Sequence, residues 1–297
     1  MRAAVAMIGF GFWRRWVLIA PPFLWLFVFF LLPLGVVAAI SLSQSADTIP
    51  PYTSLLTHGP NGFELHANLA NYQLIAEGDL RAYGNSLGFA ALATVLCLLV
   101  GYPIAFAIAR APKAWRNPLL FFVILPFWTS LLIRVYAWIA ILQPTGLLNR
   151  MLRTLRIIDA PLLLIYNDFS VVLGLVYVYL PFMILPLYGS LSQLDESLLE
   201  AAADLGARPA RVFREIVLPL SLPGVAAGAL LVFIPAIGEF VIPDLLGGPG
   251  TLMVGKVLWQ EFFDNVDWPE AAAVAMVLVA LLTAPLLLAQ HLVERKA

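Results

Sequence analysis

The chain has 297 residues, of which 62% are hydrophobic and 12% charged, and its mean hydropathy is +0.91. Charge at about half the usual quarter of a soluble domain, at that hydropathy, marks a membrane protein. A net charge of −1 and a pI near 6.3 leave no basic surface for nucleic acid. A single cysteine, Cys97, excludes an intrachain disulfide, and His58, His66 and His291 have no partner at ligand spacing, so no metal site is expected.

Stretches apolar enough to cross about 30 Å of hydrocarbon fall at 17–42, 83–109, 117–142, 169–191, 220–245 and 269–291. They predict an all-α integral membrane protein of six transmembrane helices, forming one membrane domain over 1–297. The first stretch follows Arg14 and Arg15 as a secretory signal would, but its apolar run is far longer than a signal core, which predicts a retained helix. The segment 43–82 after it is rich in Pro, Asn, Gly and Ser and sets Asp47, Glu64, Glu77 and Asp79 against Arg81. Either a solvated loop or a docking site for a positively charged soluble partner fits that composition.

Basic residues orient the spans. With the N-terminus inside, inner segments hold Arg2, Arg14, Arg15, Arg110, Lys113, Arg116, Arg208, Arg211, Arg214, Arg295 and Lys296, and outer segments hold only Arg81, Arg150, Arg153, Arg156 and Lys256. Both termini and the 192–219 loop are therefore expected in the cytoplasm. Arg150, Arg153 and Arg156 recur at helical spacing beside Leu147, Leu148, Leu152 and Leu155, predicting an amphipathic helix at the outer surface.

Most spans carry an interior proline: Pro33, Pro103, Pro126, Pro181, Pro186, Pro235 and Pro285. In lipid such breaks persist where neighbouring helices or a cavity satisfy the freed backbone groups. Gly224 and Gly228 have the spacing of a close helix contact. Charges within the spans are few and costly unless paired or wet. Arg134 and Glu239 share a depth about 26 to 29 Å from the inner face, counted at 1.5 Å per residue. Two readings stand side by side: the two neutralise each other, or Glu239 faces a pathway and attracts a cationic substrate. Asp244 follows at the outer end of the same span. Tyr136, Trp138, Tyr177, Tyr179, Trp259, Phe262 and Phe263 lie in nearby segments, and aromatic faces beside carboxylates suit an alkylammonium ligand. Interfacial aromatic belts have the same sequence appearance.

The most polar inner loop contains Glu200-Ala201-Ala202, three residues, Gly206, nine residues, Ile216, one residue and Leu218-Pro219. Asp195 or Ser197 can cap a helix there, Glu196 and Glu200 sit early in it, and Gly206 can end it. Ala201, Ala202 and Ala203 give a low-relief face, with Leu198, Leu199 and Leu205 as apolar anchors, which is the make-up of a small docking helix. Nothing in the chain provides an energy source. Gly250, Gly255 and Lys256 approach a phosphate-binding loop, but Val257 stands where a hydroxyl would hold magnesium, and no strand precedes it.

The 200–219 spacing resembles the cytoplasmic loop of the membrane subunits of binding-protein-dependent ATP-binding-cassette (ABC) importers. The segments LPFWTSLLIRVYAWIAIL at 125–142, GLVYVYLPFMILPLYGSL at 174–191, FIPAIGEFVIPDLLGGPG at 233–250 and VLWQEFFDNVDWP at 257–269 look like the polyamine branch of that family, especially the putrescine-type subunit. The resemblance implies the type I importer permease fold with a cytoplasmic coupling helix. Coupling to the ATPase would run through Glu200, Ala201, Ala202, Leu205 and Gly206 in the 192–219 loop. A substrate pathway would involve Glu239, Asp244, Tyr136, Trp138, Tyr177 and Trp259. It also implies a bacterial inner-membrane location and a transport subunit rather than an enzyme. The chain itself would hold no cofactor, and ATP and magnesium would be bound by the partner ATPase. The implied partners are a second, homologous permease subunit, two ATPase subunits, a periplasmic solute-binding protein and membrane lipid. An importer of another small solute built on the same loop, and a stand-alone secondary transporter, are the alternatives.

Overall fold

A computed structural model describes residues 17, 19–59, 62–75 and 79–294. Arg2, Arg14, Arg15, Glu77, Arg295 and Lys296, which enter the charge comparison above, lie outside the described residues. Among the described residues, five stretches are long and apolar enough to cross a membrane: Ile19–Ser41, Leu80–Arg110, Leu131–Thr154, Asp168–Leu191 and Pro209–Ile237. A further helix, Trp268–Glu294, carries the last apolar run. The chain forms two compact units, Met1–Gly78 with Leu258–Ala297, and Asp79–Val257.

In the first unit, α1 (Ile19–Ser41) opens into a wide π turn at Phe27–Leu31, two residues before Pro33. Proline cannot donate to the carbonyl four residues back and crowds it, and the wider turn relieves that clash. The segment after α1 is not wholly irregular, because β1 (Leu56–Gly59) and β2 (Gly62–Leu65) pair antiparallel. The short helix α2 (Ala70–Leu74) returns the chain to α1. Its buried Asn71 donates through Nδ2 to the carbonyls of Ser41 and Ser43, both at 2.9 Å, and the Tyr72 hydroxyl meets Ser41 Oγ at 2.8 Å. The two Asn71 bonds satisfy backbone acceptors that a helix end leaves open.

The second unit is built on α3 (Leu80–Arg110), α7 (Asp168–Leu191) and α9 (Pro209–Ile237). Small residues let their backbones approach. A side chain at Gly101 would press on Met183 and Ile184, one at Gly228 would meet Met183 Sδ at 2.8 Å, and one at Gly224 would meet the Pro186 carbonyl at 2.8 Å. Gly224 and Gly228 thus form a close contact of α9 with α7. The Tyr102 hydroxyl meets Ser221 Oγ at 2.8 Å, tying α3 to α9, and the buried Cys97 thiol points at the Val176 carbonyl. A second π turn, Phe213–Val217, again ends two residues before a proline, Pro219.

Two expected continuous helices are broken. The 117–142 stretch divides into α4 (Lys113–Ile124), a 3-10 turn at Leu125–Trp128 and α5 (Leu131–Leu142). Pro126 lacks the N–H that would continue α4, and Thr129 turns extended, its backbone N–H and hydroxyl both donating to the Pro126 carbonyl. The 220–245 stretch divides at Gly238–Phe240 between α9 and α10 (Val241–Leu246), just beyond Pro235. After α5, α6 (Leu147–Thr154) carries exposed Arg150 and Arg153 and exposed Leu147 and Met151, and Arg156, two residues past its end, takes φ 55°. Its buried Asn149 holds the following loop by exchanging bonds with Leu162, at 2.8 and 3.0 Å.

Substituting Gly224→Ala drives a Cβ into a backbone carbonyl, and we expect it to lower stability by about 1 to 3 kcal/mol. Gly189→Ala on α7, where nothing lies within 4 Å, should be neutral or slightly stabilising. Thermal unfolding of the two variants in one detergent compares them directly.

Candidate functional site

The break between α9 and α10 interrupts a helix within an apolar span, so its backbone must be satisfied locally. Glu239 contributes to that. Its Oε1 accepts the Val241 N–H at 3.1 Å, at the start of α10, and its Oε2 accepts the Tyr179 hydroxyl at 2.7 Å. The carboxyl group is half-buried and the Tyr179 ring is buried. Behind the break stands α11 (Val254–Trp259), where Gly255 backs onto the carbonyls of Gly238 and Glu239 so closely that a side chain would collide with both. The glycine of the apparent phosphate-binding spacing is thus a packing glycine. Lys256, next to it, pairs with Asp244 at 3.0 Å.

Three polar side chains fix the backbone around this interrupted segment. Ser170 Oγ donates to the Leu246 carbonyl at 2.7 Å, Asn85 Nδ2 donates to the Leu252 carbonyl at 3.0 Å, and Ser86 Oγ accepts the Val254 N–H at 2.8 Å. None of these three was distinguishable in sequence from ordinary small polar residues of helices.

Arg134 and Glu239 do not neutralise each other. Among the described residues no ion pair joins them; the Arg134 guanidinium lies over the Phe127 ring at 5.8 Å, and its buried Nε has no acceptor. The break at 129–130 gives the physical reason, because α5 starts afresh there and a depth counted along one straight helix no longer applies. The aromatic candidates also separate. Trp138 packs edge-on to Tyr177 at 5.4 Å, Tyr136 is exposed, and Tyr179 is the ring on Glu239. Trp259 belongs to the first unit, where it faces Phe263 at 4.2 Å.

The 192–219 loop contains α8 (Glu196–Asp204). Asp195 caps it, its carboxylate accepting the Ser197 N–H at 3.0 Å, which holds that carboxyl below its usual range. The cap's contribution is therefore present above the carboxyl's unfolded pKa and fades as pH falls through the lowered folded value, so it persists at neutral pH. At the other end Gly206 takes φ 77°, its N–H donates to the Ala203 carbonyl at 2.8 Å, and the Ala207 N–H donates to the Ala202 carbonyl at 3.0 Å. This paired closure needs a left-handed residue, which glycine supplies without strain. Glu200, Ala201 and Gly206 are exposed, and Leu205 is 88% exposed. Ala202, expected with them on the outward face, is buried instead, because the next helical position after Ala201 turns about 100° towards the body of the protein.

An inner-membrane-component family of binding-protein-dependent transport systems matches residues 101–297, and the chain belongs to it. It is 41% identical over 278 residues to the spermidine/putrescine transport system permease protein PotB of Haemophilus influenzae, across 92% of this chain and 93% of that one. PotB of Escherichia coli is likewise 41% identical, across 82% of this chain and 90% of its own. Among solved structures, a bacterial alginate ABC transporter in complex with an alginate pentasaccharide-bound periplasmic protein matches with a TM-score of 0.71 over 95% of this chain and 94% of that chain, at 16% identity. That likeness is one of fold. The chain is thus a multi-pass inner-membrane transport subunit rather than an enzyme.

Replacing Tyr179 by Phe removes one of the two donors to Glu239 while keeping the ring. We expect a loss of about 1.5 to 3 kcal/mol, the range for a hydrogen bond to a charged group, measured as a lower unfolding temperature in detergent.

Proposed function

We propose that this chain is the permease subunit of an ATP-driven importer that carries a polyamine, putrescine or spermidine, into the cytoplasm by alternating access. The observation that carries the proposal is 41% identity over nearly the whole chain to a spermidine/putrescine permease. The outer break supports it, because Glu239 is a half-buried acid with no cation paired to it among the described residues, and Asp244 already holds an ammonium, that of Lys256, which a substrate ammonium would have to replace. In this reading Glu239, Asp244, Tyr136, Trp138 and Tyr177, all of the second unit, line or flank the pathway.

The partners in this proposal are a second, homologous permease subunit, two ATPase subunits that bind ATP and magnesium, and a periplasmic solute-binding protein. Both termini lie in the cytoplasm, as the basic residues indicate, and α8 faces the ATPase. The exposed Glu200, Ala201, Leu205 and Gly206 make its contact surface, and Ala202 supports the helix from within. A solvent-facing leucine on a short helix with a low alanine relief is otherwise unused by the fold.

Uptake of labelled putrescine and spermidine by cells lacking their own polyamine uptake, supplied with this chain and its partner subunits, tests the proposal. Uptake should appear with the whole set and fail when this chain is omitted. Glu239→Gln should reduce it by about tenfold, the cost of losing one charge interaction in a partly dehydrated site. Uptake of neither polyamine would overturn the substrate assignment. Leu205→Asp should abolish co-purification with the ATPase subunits while leaving the permease's own unfolding temperature unchanged, because Leu205 is 88% exposed.

A further inference from the structure

The cytoplasmic end of α3 meets the coupling segment through one stripe of side chains. Tyr102, Phe106 and Arg110 recur every four residues and so share a face of α3. Tyr102 packs edge-on to Phe213 at the start of α9, with ring centroids 5.4 Å apart. Phe106 lines a cavity of about 270 Å3 together with Leu199 and Ala203 of α8 and Val212 and Phe213 of α9. Arg110, the last residue of α3, lies with its guanidinium 5.5 Å over the Phe106 ring and sends Nη1 to Oε1 of Glu196, the first residue of α8, at 3.6 Å. Its Nη2 is buried with no acceptor.

This arrangement is poorly suited to holding the fold together. Glu196 is 68% exposed, and an ion pair so open to water adds little stability. Each charge is also stabilised by its own helix, a cation at a C-terminus and an anion at an N-terminus. What the pair adds is a link between two elements. Ala202 is the one buried residue of α8, and the cavity beneath the helix leaves room for it to shift. A small approach of α8 towards α3 would let Glu196 engage both guanidinium nitrogens in the stronger two-pronged geometry.

We propose that Arg110 is a positioning residue that, through Glu196, transmits displacement of α8 to α3. This rests on the coupling role assigned to α8 above. The test uses the complete complex of this chain with its partner subunits and binding protein in proteoliposomes, measuring polyamine taken up and ATP hydrolysed together. Arg110→Gln and Glu196→Gln should leave assembly and basal ATPase activity unchanged and lower uptake per ATP by about threefold, in keeping with a weak surface pair. The exchanged pair, Arg110→Glu with Glu196→Arg, should recover about half of that loss, since it restores the contact but opposes both helix dipoles. Should Arg110→Gln fail to assemble, the exposed Glu196→Gln decides alone. A coupled wild type with unimpaired Glu196→Gln, or an exchanged pair no better than the single variants, would overturn this proposal alone. A wild-type ATPase indifferent to solute would overturn the coupling reading and this proposal with it.

Discussion

A helix interrupted inside hydrocarbon leaves backbone donors and acceptors with no water to meet them, and most of the second unit is arranged around that constraint. The interruption at Gly238–Phe240 is where it bears hardest. Glu239 supplies an acceptor to the first N–H of α10, Tyr179 holds the same carboxyl from α7, and Gly255 brings α11 close enough to back the break. Ser86, Asn85 and Ser170 then satisfy the backbone that follows. A carboxyl group held this way is fixed by the fold yet half-exposed, which is the condition for meeting a cation without a large rearrangement.

The 192–219 loop follows a different logic. The core of α3, α7 and α9 is close-packed through Gly101, Gly224 and Gly228, whereas α8 is a short helix defined by its own ends. Asp195 starts it and Gly206 closes it, so its shape depends little on neighbours. A self-defined helix with one buried residue can move as a unit against a rigid core. That combination suits a part which receives force from another protein, as the proposed coupling role requires.

Much of this was legible in the sequence. Long apolar runs located the spans, and the Glu200 to Pro219 spacing marked the loop, its cap and its closing glycine, because these depend on local chemistry. The breaks at 129–130 and 238–240 were not, since Pro126 and Pro235 signal a bend without saying whether a helix kinks or stops. Counting along straight helices puts Arg134 and Glu239 at equal depth, and the break before α5 removes the basis for pairing them. Tyr179 could not be told from Tyr177 by residue type; only the helical face decides which ring meets Glu239. Three successive alanines carry no sequence mark of orientation, so the inward turn of Ala202 is invisible until the helix is packed. In sequence Arg110 is one more basic residue between spans and Glu196 a helix-start acid, and their meeting depends on tertiary packing that no spacing encodes.

In the proposed cycle, solute moves past the outer break only when a separate ATPase acts on α8. ATP hydrolysis by the reconstituted complex, measured with the loaded binding protein over a panel of polyamines, amino acids, sugars and anions, tests it most directly. Putrescine or spermidine should stimulate hydrolysis, and no anion or sugar should. Stimulation by an anion or a sugar alone, or solute uptake that proceeds without ATP, would contradict it.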